Sequence, residues 1–251
     1  MSGKLTVIGL GPGNADQLTP EASDALSAAD VVFGYGPYLD RLPGRAGQRR
    51  ERSDNREEIH RATRALTEAA NGASVAVVSG GDPGVFAMAA AVCEALERGP
   101  GEWRTLDLAI VPGITSMLAV AARVGAPLGH DFCALSLSDN LKPWPVIEKR
   151  LRAVAGAGFA IALYNPVSRA RPWQLDRAFD ILRSELPAAT PVIFGRAVGR
   201  VDEQVRVASL ESAAGSDADM ATCIIIGSPE TRLIARPGRP TLVYTPRAFS
   251  T

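Results

Sequence analysis

The sequence predicts an α/β fold made of two α/β domains with mostly parallel sheets, and three observations carry that prediction. Short apolar runs rich in β-branched residues alternate with segments of helical spacing along the chain. Most of these runs close on a glycine, a proline or a polar turn before the next helix, as parallel strands joined by crossover helices do. The 251 residues are 46% hydrophobic, enough to bury a sizeable core. The boundary falls near 113–125, giving domains of 1–115 and 116–251.

The first strand, Leu5-Thr6-Val7-Ile8, runs into Gly9-Leu10-Gly11-Pro12-Gly13. A helix is expected from Thr19-Pro20, with Thr19 as cap and Pro20 at the first helical position. The turn is a poor dinucleotide fingerprint. Pro12 removes an N–H donor, several residues separate Gly13 from the helix, and Asp30 precedes the next strand, Val31–Gly34, instead of following it. Asp30 is read as a boundary residue. The segment 41–52 carries five arginines. They suit a polyanionic small molecule, although composition alone favours a solvated loop. Helical spacing over 55–71 puts Ile59, Ala62, Ala65, Leu66 and Ala69 on one side and leaves His60 exposed.

The strand Val75–Val78 leads into Ser79-Gly80-Gly81-Asp82-Pro83-Gly84 and a helix expected from Val85 to about Arg98. This places a glycine turn at the carboxyl end of a parallel strand, where open α/β sheets bind ligands. By itself the hexapeptide serves equally well as an ordinary turn with an Asp cap. Leu106–Val111 is the next strand, closing on Pro112-Gly113-Ile114-Thr115-Ser116 before a small-residue helix over 117–124. The second half repeats the style. Strands are expected at Phe132–Leu137, Phe159–Tyr164, Pro191–Gly195, Cys223–Gly227 and Thr241–Tyr244, and helices at 144–154 and 174–186.

Charge and composition exclude several classes. Lys+Arg and Asp+Glu each count 27, so there is no net basic field for nucleic acid. Cys93, Cys133 and Cys223 lack metal-ligand spacing and read as buried free thiols, and with His60 and His130 the only histidines no metal is expected. No apolar run reaches the ~20 residues that span a bilayer. Met1-Ser2-Gly3-Lys4 shows no signal-peptide pattern. A cytoplasmic protein without membrane or nucleic-acid partners is the expectation.

Taken together, the motifs resemble the tetrapyrrole methyltransferases of cobalamin and sirohaem synthesis. Gly9–Gly13, Gly80–Gly84 and Pro112–Ser116 occur in that family's order and spacing. So do Ser136-Leu137-Ser138-Asp139, Leu163-Tyr164-Asn165-Pro166 and Asp219-Met220-Ala221-Thr222. Gly34-Tyr35-Gly36-Pro37-Tyr38-Leu39, Ser168, Arg171, Trp173-Gln174 and Gly195–Arg200 resemble the branch that methylates precorrin-3B at C17 and contracts the macrocycle to precorrin-4. The absence of a cysteine set for an iron–sulfur cluster favours the oxygen-dependent route within that branch. Many relatives have Tyr where this chain has Phe86, so no hydroxyl role is carried over there.

The resemblance implies S-adenosylmethionine, with S-adenosylhomocysteine as product, in a cleft between the domains, and a homodimer. Carried over by motif, Pro12, Gly81, Asp82 and Val85 line the cofactor, with Thr115 and Ser116 beside it. Tyr164, Asn165 and Ala197 join from the second domain, together with Met220, Ala221 and Thr222. Packing or turn roles remain open for Val85, Met220 and Asn165. Substrate candidates are Gly11, Tyr35, Tyr38 and Arg45, with Arg169, Arg171, Arg196 and Arg200 as carboxylate partners. Ring contraction needs proton transfers, for which Asp82, Asp139, Glu203 and His130 are the titratable candidates; His130 equally suits a plain strand-entry role. A transient hand-over of substrate from neighbouring pathway enzymes is a further expectation. Methylation at another ring position is the alternative within the family. A nicotinamide-dependent oxidoreductase and a non-catalytic tetrapyrrole carrier are the alternatives outside it.

Overall fold

In the computed structural model, which describes residues 3–168 and 170–248, the chain divides into two compact units, Met1–Thr115 and Ser116–Thr251. The first holds β1 (Lys4–Gly9), α1 (Pro20–Ala28), β2 (Val31–Tyr35), α2 (Gly36–Leu39) and β3 (Arg49–Ser53). It continues with α3 (Glu58–Ala70), β4 (Ser74–Ser79), α4 (Met88–Arg98) and β5 (Asp107–Val111). The strands form one sheet in the order β3-β2-β4-β1-β5, parallel at every pairing. Thr19 caps α1 through its side chain, with Pro20 in the first turn.

Alternation along the strands divides the core. Leu5 and Val7 of β1, Val75 and Val77 of β4 and Phe33 of β2 pack with Ala62, Leu66 and Val92 of α3 and α4. Ile8, Val32, Ala76 and Val78 face the other way, with Ala22 of α1 and Leu39 of α2. Both faces are covered, so the strands read as unbroken apolar runs. The arginine-rich segment is more ordered than its composition suggests. Its second half is the edge strand β3, held by ion pairs from Arg49 to Glu68 (2.6 Å) and from Arg64 to Glu51 (2.5 Å). Helix α4 starts at Met88, not Val85, because the chain over 83–87 stays irregular and Phe86 takes φ +53°. Cys93 on α4 is exposed, contrary to the buried thiol expected. Cys133 is partly buried and Cys223 fully so, and burial pushes their thiols up to about 11 and about 12.

The second unit holds α5 (Ser116–Val124), β6 (Gly125–Ala126), β7 (Phe132–Ser136), α6 (Trp144–Gly156), β8 (Ala160–Tyr164) and α7 (Gln174–Arg183). It ends with β9 (Pro191–Arg196), β10 (Gln204–Ser209), β11 (Thr222–Ile226), β12 (Arg232–Arg236) and β13 (Arg239–Tyr244). Its main sheet runs β10-β9-β11-β8-β7 and is mixed: β7 and β8 are parallel, and the other three pairings antiparallel. Among the described residues, six of ten strand pairings are parallel. Because β10 and β11 run opposite to β7, β8 and β9, the carboxyl ends of β7, β8 and β9 share one edge with the starts of β10 and β11. Helices α6 and α7 cover one face through Ile147, Leu151, Leu175 and Phe179.

Helix α5 lies against Gly195, where an added Cβ would sit 2.8 Å from Val120 Cγ1 and 3.0 Å from Val120 Cβ. Gly195→Ala is therefore expected to lower unfolding free energy by about 1–3 kcal/mol through overpacking, read from urea denaturation. An unchanged midpoint would mean that this contact does not constrain the sheet.

Candidate functional site

The carboxyl edge of the first sheet is where its backbone packs most tightly. Gly11 N–H donates to Gly81 O at 3.1 Å, and Gly81 N–H returns the bond to Gly11 O at 2.9 Å. This pair joins the turns after β1 and β4, and both glycines take left-handed φ values, +66° and +68°. Gly113, after β5, fits against them. A Cβ there would lie 2.9 Å from Gly9 C and clash with Gly81 O; one on Gly9 would lie 2.7 Å from Gly113 N. Asp82 fastens the turns after β4 and β5: Oδ1 accepts from Gly84 N–H at 2.8 Å and Oδ2 from Gly113 N–H at 3.1 Å. Tyr38 lies so close that a Cβ on Gly80 would meet its ring at 2.7 Å. Pro12 and Thr115 are buried at this edge, and Val85 is half-buried.

These bonds count against a dinucleotide site. The N–H groups of Gly11 and Gly81, which would have to face a pyrophosphate, are spent on each other. Asp30 lies at the opposite, amino-terminal edge, where its carboxylate accepts from Ser74 N–H at 3.1 Å.

The shared edge of the second sheet gathers Ser136, Tyr164, Asn165, Arg196, Ala197 and Ala221-Thr222. Asn165 and Ala197 adopt φ +52° and +49°. Left-handed backbone at non-glycine residues costs of order 1–3 kcal/mol and clusters at functional sites. Asn165 Nδ2 donates to Ser136 Oγ at 2.9 Å, and Ala197 N–H to Ala221 O at 3.0 Å. The Tyr164 hydroxyl accepts from Met117 N–H at 3.1 Å, meeting an open donor at the start of α5. Met220 is 62% exposed.

Asp219 ties this edge together. Its Oδ1 accepts from Ala221 N–H at 2.9 Å and from the Thr222 hydroxyl at 2.8 Å, and its Oδ2 from Arg196 Nε at 2.8 Å. Thr222 Oγ1 in turn accepts from Asp219 N–H at 3.1 Å. Burial pushes the Asp219 carboxyl up, but the bonds from Arg196, Thr222 and Ala221 outweigh it and hold the pKa below the usual range. Asp219 was missing from the sequence-based candidates. Its signal was the Asp-x-x-Thr spacing, which lets two short polar side chains satisfy each other's backbone.

The structure brings the expected cofactor residues to these two carboxyl edges. It separates some of the others. His130 stands before β7, about 20 Å of extended chain away from Ser136, beside Asp131 at 3.8 Å. Arg45 donates to Ala29 O at 3.2 Å, before the start of β2 and so at the amino-terminal edge. Asp139 accepts from Arg171 and, at 3.0 Å, from Gln174 Nε2. Glu203 binds Arg123 Nε at 2.6 Å and Gly199 N–H at 2.7 Å, and the Arg123 bond holds its carboxyl below the usual range. Arg196 is shared between Asp219 and Asp202, while Arg200 is exposed at the β9–β10 turn. Tyr35 and Tyr38 meet edge to face at 5.4 Å. Arg169 lies outside the described residues. No helix among the described residues is long and apolar enough to cross a membrane.

A family model described as tetrapyrrole (corrin/porphyrin) methylases matches residues 4–214. A precorrin-3B C(17)-methyltransferase from Sinorhizobium sp is 65% identical over 250 residues, covering 100% of this chain and 98% of the relative. The crystal structure of the methyltransferase CobJ aligns with a TM-score of 0.93 at 50% identity, covering 98% of this chain and 100% of that one. A uroporphyrin-III C-methyl transferase from Thermus thermophilus, solved with S-adenosylhomocysteine, aligns at 0.67 and 26% identity over 90% of this chain and 97% of that one.

Proposed function

This chain belongs to the tetrapyrrole (corrin/porphyrin) methylases, and from that premise we propose that it transfers a methyl group from S-adenosylmethionine to C17 of precorrin-3B, with contraction of the ring. The observation that carries the reading is the pairing of full-length 65% identity to a C17-methyltransferase with glycine turns whose backbones leave no room for side chains. A homodimer, a cytoplasmic location and hand-over of substrate from neighbouring enzymes belong to the same proposal.

The residues present fit such a cofactor. Gly9, Gly11, Gly81 and Gly113 pack backbone to backbone at the carboxyl edge of the first sheet, so the turns there carry no side chains from these positions. Strained Asn165 and Ala197, with Ala221 and Thr222, line the other. When bound, S-adenosylmethionine supplies an activated methyl on a positive sulfur. The chain then has to orient the acceptor carbon and exclude water. Orientation supplies several kcal/mol of barrier reduction, up to about 7–11 in ideal intramolecular cases. Phe86 at the edge of the first sheet is an exposed apolar group, as is Met220 at the edge of the second, and covering either with a bound cofactor would favour loss of charge on the sulfur. Asp82, Asp139 and Glu203 are engaged in holding loops, which gives them a positioning part here.

The experiment is isothermal titration with S-adenosylhomocysteine and with NAD. About one site per chain for the former and no heat for the latter is the expected result. NAD binding with silence from S-adenosylhomocysteine would overturn the proposal. Mass spectrometry of the product from precorrin-3B then tests methylation and contraction together.

A further inference from the structure

An open cavity of about 380 Å³ lies at the carboxyl ends of β2 and β3, lined by Tyr35, Gly36, Pro37, Arg52, Ser53 and Asp54. It sits on the same sheet edge as the glycine turns. β2 neighbours β4, and strands are spaced about 4.8 Å apart. Tyr38, packed on Gly80 and edge-on to Tyr35, spans the distance between them.

Three features suit the cavity to a carboxylate. Arg52 lies over Gly36, where a Cβ would come within 2.9 Å of its Nη2. Its two amino groups grip Asp40, Nη1 to Oδ1 at 2.5 Å and Nη2 to Oδ2 at 3.0 Å, the fork geometry of carboxylate recognition. Behind the cavity Arg61 is only 4% exposed. Its partners are neutral: Ser53 Oγ at 2.6 Å, Asp54 O at 2.8 Å and Met88 Sδ at 3.1 Å. Glu57 and Glu58 act on it through space without an ion pair. Because Ser53 Oγ accepts from Arg61, the hydroxyl proton is left to donate elsewhere. Asp54 turns its own Oδ1 to Asn55 N–H at 2.7 Å.

We propose that Arg52 and Ser53, backed by Arg61, bind one peripheral carboxylate of the tetrapyrrole, with Tyr35 and Tyr38 beside its ring and Asp40 competing for the Arg52 guanidinium. The inference rests on the tetrapyrrole reading above and gives that substrate a fixed point two strands from the glycine turns. Lysine would not replace Arg52, because a point charge lacks the fork.

The test uses uroporphyrin III, a stable carboxylated tetrapyrrole, with its fully esterified form as control, and follows binding to the full-length protein by fluorescence. Arg52→Gln is expected to weaken uroporphyrin binding at least tenfold and Arg52→Lys nearly as much. Asp40→Asn, which removes the competing charge, is expected to tighten it two- to fivefold. S-adenosylhomocysteine affinity should stay within twofold in all three, and the ester should not respond to any of them. Weaker binding in Asp40→Asn, or binding within twofold of wild type in Arg52→Gln, would overturn the subsite. Loss through misfolding cannot imitate the pattern, because the two variants are expected to move in opposite directions. Failure of S-adenosylhomocysteine to bind the unaltered protein would instead strike the methyltransferase reading.

Discussion

Alanine at Gly113 is expected to abolish S-adenosylhomocysteine binding and to destabilise the first unit by more than about 3 kcal/mol, above the ordinary range for overpacking. The new methyl group would meet Gly81 O and lie 2.9 Å from Gly9 C and 3.0 Å from Gly9 Cα. All of these are backbone atoms, so no rotamer change relieves the clash. Nor can the strands separate: β1 is hydrogen-bonded along its length to both β4 and β5. Relief must come from moving the turn at 111–113, which also breaks the Asp82–Gly113 bond. Gly101→Ala is the matched control, since nothing lies within 4 Å of a Cβ there. The readouts are titration calorimetry and urea denaturation. An affinity for S-adenosylhomocysteine within threefold of wild type would mean that the packed glycines do not support the cofactor.

The glycines themselves were legible in the sequence, but their mutual contact was not. Gly9, Gly81 and Gly113 are separated by 72 and 32 positions, and only the parallel order β4-β1-β5 brings them side by side. The interior strands were legible for a simple reason: both faces are covered, so Leu5–Ile8 and Val75–Val78 are apolar at almost every position. β3 was hidden because Arg-Arg-Glu-Arg-Ser has no apolar face; it exists through its ladder to β2 and its ion pairs with α3. Strand direction in the second sheet was equally silent. The sequences of β9 and β11 are as apolar as those of parallel strands, and the reversal depends on β10 and the connection through Asp219. At the site, Asn165 announces a turn by its residue type, whereas Phe86 and Ala197 carry no such signal and take left-handed φ only because the tertiary structure holds them there. The arginines mislead for a related reason. Composition cannot distinguish Arg45 and Arg50, spent on backbone carbonyls, from Arg52, which lines a cavity.

Asp219→Ala is expected to lower unfolding free energy by about 2 kcal/mol and to weaken S-adenosylhomocysteine at least tenfold. One carboxylate serves Ala221 N–H, the Thr222 hydroxyl and Arg196 Nε, and Thr222 is buried. Part-buried donors left without acceptors cost about 1–3 kcal/mol each. The lower part of that range applies because the Asp219 side chain is 47% exposed and water replaces some of what is lost. Affinity should fall more than stability implies, since the residues released, Ala221 and Thr222, are those proposed to hold the cofactor. The pH dependence has a definite sign. The folded-state pKa of Asp219 lies below its ordinary 3.8. Its contribution is therefore fully present above the unfolded value and is lost as pH falls through the folded one. Unfolding free energy of the unaltered protein should drop on acidification below about pH 4. Asp219→Asn, which keeps an acceptor but no charge, should be less stable than wild type at pH 7 and approach it in acid. A difference between the two proteins that is constant from pH 7 to pH 3 would show that Asp219 acts by shape alone and that its charge holds neither Arg196 nor the turn at Thr222.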